Sequence, residues 1–101
     1  MNPDIEAIDI CVPNYLHAPF AIKALELGKH VFCEKPDSVS VEKALEMKAA
    51  SEKAGKVLMI MRNNRHVATS KKLKKLAEAG EFGDIYAGRC GWIRRRGIPG
   101  K

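Results

Sequence analysis

Nothing in this sequence approaches the ~20-residue apolar run that a helix needs to cross a bilayer. Nor does the chain open on a basic segment followed by an apolar one, so neither a membrane span nor a signal peptide is expected. Cysteine is scarce. Cys11, Cys33 and Cys90 are an odd count with no C-x-x-C pair, which excludes a disulfide framework and leaves zinc without a ligand set. Each lies in an apolar, strand-like stretch. Buried free thiols in a reducing compartment account for them simply, so the cytoplasm is the expected location. A glycine-rich phosphate loop is also missing. None of the 8 glycines falls in a G-x-G-x-x-G pattern, so no stretch can cradle a pyrophosphate. There is no internal repeat, no zinc finger and no RNA-binding aromatic motif.

What is present fits a globular fold. At 101 residues the chain is at most one ordinary domain, and its 46% hydrophobic content excludes global disorder. A chain of this length buries roughly 60–68% of the surface its unfolded form exposes, a modest core. The net charge of +6 is carried mostly after Arg62, where lysines and arginines face only Glu78, Glu81 and Asp84. That asymmetry fits an anionic partner, and equally a piece separated from its acidic complement.

Hydrophobic patterning alternates between strand and helix. Ala7–Val12 is a near-continuous apolar run interrupted by Asp9 and ended by Pro13-Asn14, as in a parallel strand covered on both faces. Ala18, Ala21, Ile22 and Leu25 then recur at helical spacing from about Leu16 to Leu27, with Gly28 as the stop. Val31–Glu34 is a second strand, and strand–helix–strand makes a βαβ unit. Ser40 is the expected cap of a second helix whose stripe reads Val41, Ala44, Leu45, Lys48 and Ala49, closed by Gly55. Val57–Met61 is a third strand. Thr69 or Ser70 is expected to cap a third helix with Leu73, Leu76 and Ala77 as its stripe and Gly80 as its end. Ile85–Ile93 reads as a weaker strand, with two glycines and an interior arginine. The expected class is therefore α/β, with three parallel strands and two exposed sheet edges.

Candidate site residues follow from topology, because ligands of open α/β sheets bind beyond the carboxyl ends of the strands. Here that edge carries Pro13-Asn14 with His17, then Glu34-Lys35-Pro36, then Arg62-Asn63-Asn64. Lys35 is the cation placed to hold a developing negative oxygen or to move a proton, although an ordinary ion pair with Glu34 is also open. His17 and Asn14 each serve equally as ligand contacts or as structural hydrogen-bonding groups. The lysines of the third helix read as its solvated face. Arg94-Arg95-Arg96 beside Trp92 could grip phosphate, but is also a plausible linker.

The sequence resembles the glucose–fructose oxidoreductase / inositol 2-dehydrogenase family of NAD(P)-dependent oxidoreductases. The resemblance rests on AIDICVPN with the following His17 and on GKHVFCEKP at Gly28–Pro36. It continues through Met47–Gly55, the Arg62–Arg65 segment, the GEFG turn and Trp92–Gly100. It implies the C-terminal part of a Rossmann dinucleotide-binding domain over residues 1–83, then the first strand of a second α/β domain at 84–101. By the same resemblance Lys35 binds the reacting oxygen and assists proton transfer. Pro13, Asn14, His17, Glu34, Pro36, Arg62 and Asn63 line the nicotinamide side, with Asn63 matching better than its neighbours, and the Lys35–Pro36 bond is expected to be cis. His66 stands where a phenylalanine is common.

The family's glycine loop and its catalytic aspartate and histidine have no match here. The chain is therefore expected to be an internal fragment of an enzyme that moves hydride between NAD or NADP and a sugar, polyol or related hydroxy compound. Neither cofactor binding nor turnover is expected of the chain alone. No metal and no membrane partner are expected, and pairing of exposed sheet edges would make a homo-oligomer. A structural, partner-binding remnant and an anion or nucleic-acid binder are the rival readings.

Overall fold

The structure, a computed structural model, describes residues 2–93 and Arg95. Arg94, Arg96 and the Gly97–Lys101 tail of the expected basic cluster lie outside the described residues. The chain divides into two compact units, residues 1–66 and 67–101.

The first unit is a three-stranded parallel sheet in the order β1-β2-β3, formed by Ala7–Ile10, His30–Cys33 and Leu58–Ile60. Helix α1, His17–Glu26, connects the first two strands, and α2, Val41–Ala54, connects the last two. The register sets Ile8 beside Val31 and Leu58, and Ile10 beside Cys33 and Ile60. Side chains alternate along a strand, so these six share the face that meets the helices. The core there is Ile10, Val31 and Cys33 against Ala18, Ala21, Ala24 and Leu25 of α1 and Met47 of α2. The small alanines let α1 lie close on the sheet. Pro19 is accommodated in the first turn of α1, where an amide donor has no helical partner to lose.

Both faces were expected to be covered, whereas within this unit the helices cover one. On the other, Asp9 and Met59 are exposed and Phe32 is half-buried. This resolves the charge in the first strand. Asp9 sits in an edge strand on the open face and accepts a contact from the Cys11 thiol at 3.6 Å. The expectation of three buried thiols is corrected too, because Cys33 is buried whereas Cys11 and Cys90 are exposed. Cys11 shares the open face with Asp9, two residues before it, whereas Ile10 and Val12 turn toward the helices.

Ser40 caps α2 as expected, its Oγ accepting from the Lys43 amide at 3.3 Å, and Gly55 ends the helix at φ +60°. The face of α2 is different from the expected one. Met47 is buried and Ala44, Ala50 and Ala54 are half-buried, while Val41 and Leu45 are 72% and 59% exposed. The helix turns its one long, flexible apolar side chain to the sheet and leaves the branched ones outside.

The second unit holds α3, Ala68–Glu78, which buries none of its residues. Its cap position is Val67, without a side-chain bond, rather than Thr69 or Ser70. Its lysines are exposed as expected, but of the expected stripe Leu73, at 57%, and Ala77 are exposed as well and only Leu76 is half-buried. Residues 85–93 form no strand. A strand exists only when paired, and Gly88, Arg89 and Gly91 leave this stretch little strand preference of its own.

Candidate functional site

All three expected clusters stand at the carboxyl edge of the sheet, because all three strands run the same way. After β1 the chain passes Pro13 and enters a short 3-10 turn, Asn14–Leu16, closed by the Leu16 amide donating to the Pro13 carbonyl at 2.9 Å. After β2 comes Glu34-Lys35-Pro36, and the Lys35–Pro36 peptide bond is cis. After β3, Arg62 leads into a second 3-10 turn, Asn63–Arg65. The backbone ladder carries the sheet into these exits. The Glu34 amide donates to the Ile10 carbonyl at 3.0 Å and the Met61 amide to the Cys33 carbonyl at 2.8 Å.

Lys35 lines an open cleft of about 370 Å³ together with Arg62, Asn63, Asn64 and Arg65. Its backbone amide donates to the Glu34 carboxylate at 3.1 Å, so that carboxylate turns toward the lysine's own backbone. Arg62 reaches across from the β3 exit and donates through Nη2 to Asp37 Oδ1 at 2.8 Å. Both partners are a little under half exposed, so solvent screening leaves this ion pair little stability to add and it acts mainly to fix the guanidinium at the cleft wall. Asp37 is a residue that sequence reasoning passed over. Its signal was available: a carboxylate directly after E-K-P, with an arginine-rich strand exit as its neighbour in the sheet.

His17 is 1% exposed. Its Nδ1 lies 2.6 Å from the Pro36 carbonyl oxygen and its Nε2 lies 2.9 Å from the Val12 carbonyl oxygen. Both polar atoms of the ring are thus engaged by backbone, and its route to a ligand runs through the two loops it joins. Pro13 and Asn14 are exposed. The cap position of α1 is Leu16, with no side-chain bond, so the Asn14 amide is not used as the helix cap. Of the other histidines, His30 accepts from the Val57 amide at 3.0 Å, a bond internal to the sheet.

Beneath the edge the thiol of Cys33 is pushed up to about 11, first by burial and then by the negative charge of Cys11, Glu34, Asp37 and Asp9. The charged groups acting on Cys33 are thus acidic, while the residues lining the cleft are basic and amide-bearing.

Comparison with known proteins follows the same outline. The profile of the oxidoreductase family with an NAD-binding Rossmann fold matches residues 1–62. D-glucoside 3-dehydrogenase of Escherichia coli is 36% identical over 100 residues, covering 99% of this chain and 28% of that protein. Levoglucosan dehydrogenase of Pseudarthrobacter phenanthrenivorans is 40% identical over 93 residues, covering 92% of this chain and 24% of that protein. Among solved structures, the WlbA dehydrogenase of Bordetella pertussis in complex with NADH and UDP-GlcNAcA superposes with a TM-score of 0.80 at 35% identity. That match covers 84% of this chain and 25% of WlbA. The chain therefore spans about a quarter of the length of the relatives it matches. With the profile covering more than half of its residues, the chain belongs to the oxidoreductase family with an NAD-binding Rossmann fold, the glucose–fructose oxidoreductase and inositol dehydrogenase group.

Proposed function

We propose that this chain forms the nicotinamide-facing part of an NAD(P)-dependent hydride-transfer site for a sugar, polyol or related hydroxy compound, with Lys35 as its acid–base group. The observation that carries this is that the second and third strand exits share one cleft, with Lys35 and Asn63 on its wall, while His17 ties the first exit to the second. The lining fits the nicotinamide half of the cofactor: amide and cationic donors facing an open cleft suit a carboxamide and ribose hydroxyls. Nothing in the sequence fits the pyrophosphate, since no glycine-rich loop is present. The cofactor, when bound, supplies or accepts the hydride. The chain's own contribution is at Lys35 Nζ, which holds the reacting oxygen and takes or gives its proton. Asn63 and Asn14 orient the carboxamide side, and Asp37 keeps Arg62 at the wall. Glu34 and Pro36 set the path of the loop that carries the lysine. A sugar-like substrate accords with the names of the two dehydrogenases above, and NAD with the NADH complex of WlbA.

Titration of the ¹⁵N-labelled chain with nicotinamide mononucleotide tests this. Shifts should concentrate on the amides of Asn14, Glu34, Lys35 and Asn63, and Lys35→Met should weaken them. No shifts at millimolar nucleotide, or shifts centred on α3, would reject the site.

We further propose that the boundary between the family's two domains falls after Gly83, and that the location is cytoplasmic. We also propose that the open edges of β1 and β3 pair in a homo-oligomer, to be checked by mass in solution. Nucleic acid is not proposed as a partner.

A further inference from the structure

Val12 O and Pro36 O, the two atoms against the His17 ring, are carbonyl oxygens that only accept. A neutral imidazole carries one N–H. It would satisfy one carbonyl and press a nitrogen lone pair against the other inside a buried site, where an unmade bond is costly. We propose that His17 is held as the imidazolium, donating one N–H to each strand exit, and that this strap positions the loop carrying Lys35 against the loop carrying Asn14. Its role as a positioning residue rests on the reading of this edge as the site; the strap itself does not.

The surroundings supply the countercharge. The elements packed around the ring carry Asp9 and Cys11 on the β1 side and Glu34, Lys35 and Asp37 at the β2 exit. Glu42 and Lys43 lie in the first turn of α2, and the 3-10 turn Asn14–Leu16 carries no charge. Asp37 is already paired with Arg62 and Lys43 with Glu46, which leaves the carboxylates of Asp9, Glu34 and Glu42 against the Lys35 ammonium among these groups. The strap also joins what the sheet alone joins weakly. Beyond Ile10 and Cys33 the β1–β2 ladder continues only through the Glu34 amide, and His17 closes the gap past it.

The test is ring-¹⁵N NMR on the full chain without nucleotide, so that its failure and failure of the mononucleotide titration are separate results. At neutral pH both ring nitrogens of His17 should show attached protons. On raising the pH, the Glu34 and Asp37 amide shifts should follow the ring as it loses one. A nitrogen with a bare lone pair at neutral pH, or exit amides that ignore the ring, overturns the proposal. His17→Gln supplies an independent reading, since its two N–H groups sit on a single nitrogen and do not take the places of both ring nitrogens. Hydrogen exchange at the Glu34 amide should quicken about tenfold, the equivalent of one lost bond, while the His30 amide at the far end of β2 keeps its rate. Equal acceleration at both ends would mean that the ring only fills the core. Should this variant fail to fold, the ring measurement on the unaltered chain decides alone.

Discussion

Met47→Ala and Leu45→Ala, made separately, decide which face of α2 holds the fold together. Met47 is 1% exposed and Leu45 is 59% exposed, two residues apart on the same helix. Burying an apolar side chain of this size is worth about 1.5–3 kcal/mol in transfer alone, and the cavity left by truncation brings the expected cost to roughly 2–5 kcal/mol. Collapse around the site is hindered by its neighbours, since Cys33 and Leu25 are each fully buried and the sheet beneath them is hydrogen-bonded. Leu45→Ala removes a side chain already mostly in water and should change stability by no more than about 0.5 kcal/mol. The total available to a domain of this length is about 5–15 kcal/mol, and a sheet covered on one face belongs at the low end. Met47→Ala should therefore take away a large share of the stability. Urea unfolding followed by circular dichroism gives both numbers, with an unchanged m-value confirming that stability rather than compactness moved. Equal losses, or a larger loss at Leu45, would refute the packing and restore the stripe that the sequence suggests.

Four further outcomes follow from local features. Gly55→Ala places a side chain at φ +60° with nothing within 4 Å of the new Cβ, so its cost is purely conformational, about 1–2 kcal/mol by thermal melting. Ser40→Ala removes the oxygen that accepts from the Lys43 amide and should cost about 1 kcal/mol, with helix content otherwise retained. Folding raises the Cys33 thiol from 9.0 to about 11, so the folded chain keeps its proton where the unfolded chain loses it. That contribution is whole below pH 9.0 and is lost as pH rises through about 11, so stability should fall across this window. Cys33→Ala should flatten that fall, measured against the unaltered chain. At mildly alkaline pH, alkylation should modify Cys11 and Cys90 well before Cys33, as read by mass spectrometry of the digested protein.

How much of this was legible depends on the range of the interaction that decided each feature. The βαβ order, the stop glycines and the Ser40 cap are set within a few residues, and the pattern reads them correctly. That the three clusters share one edge was legible for a related reason: once three strands are parallel, the residues after each stand at the same end of the sheet, whatever their side chains do. The face of α2 was not. Val41, Leu45 and Met47 have comparable apolarity, and only the shape of the sheet selects Met47. The double coverage of the strands failed for the same kind of reason, since an apolar run records a preference for burial and not what supplies it. Residues 85–93 show the limit most plainly, because strand formation needs a partner that no local pattern can name.

The same argument explains why His17 was ambiguous in sequence and decisive in structure. A histidine at a helix start after P-N is compatible with ligand contact or with backbone bonding, and the choice depends on Pro36, 19 residues away. What resolves it is acceptor chemistry at a distance: the second carbonyl comes from the loop that carries Lys35. The first and second strand exits are thus joined by a buried side chain and the second and third by the solvated Arg62–Asp37 pair. These bonds are unequal, since the buried one is insulated from salt and the solvated one is screened. Raising ionic strength should therefore loosen the Arg62 wall of the cleft before it disturbs the placement of Lys35. Nicotinamide mononucleotide shifts at Asn63 should weaken with salt before those at Lys35, and simultaneous loss of both would mean that the two walls move as one body.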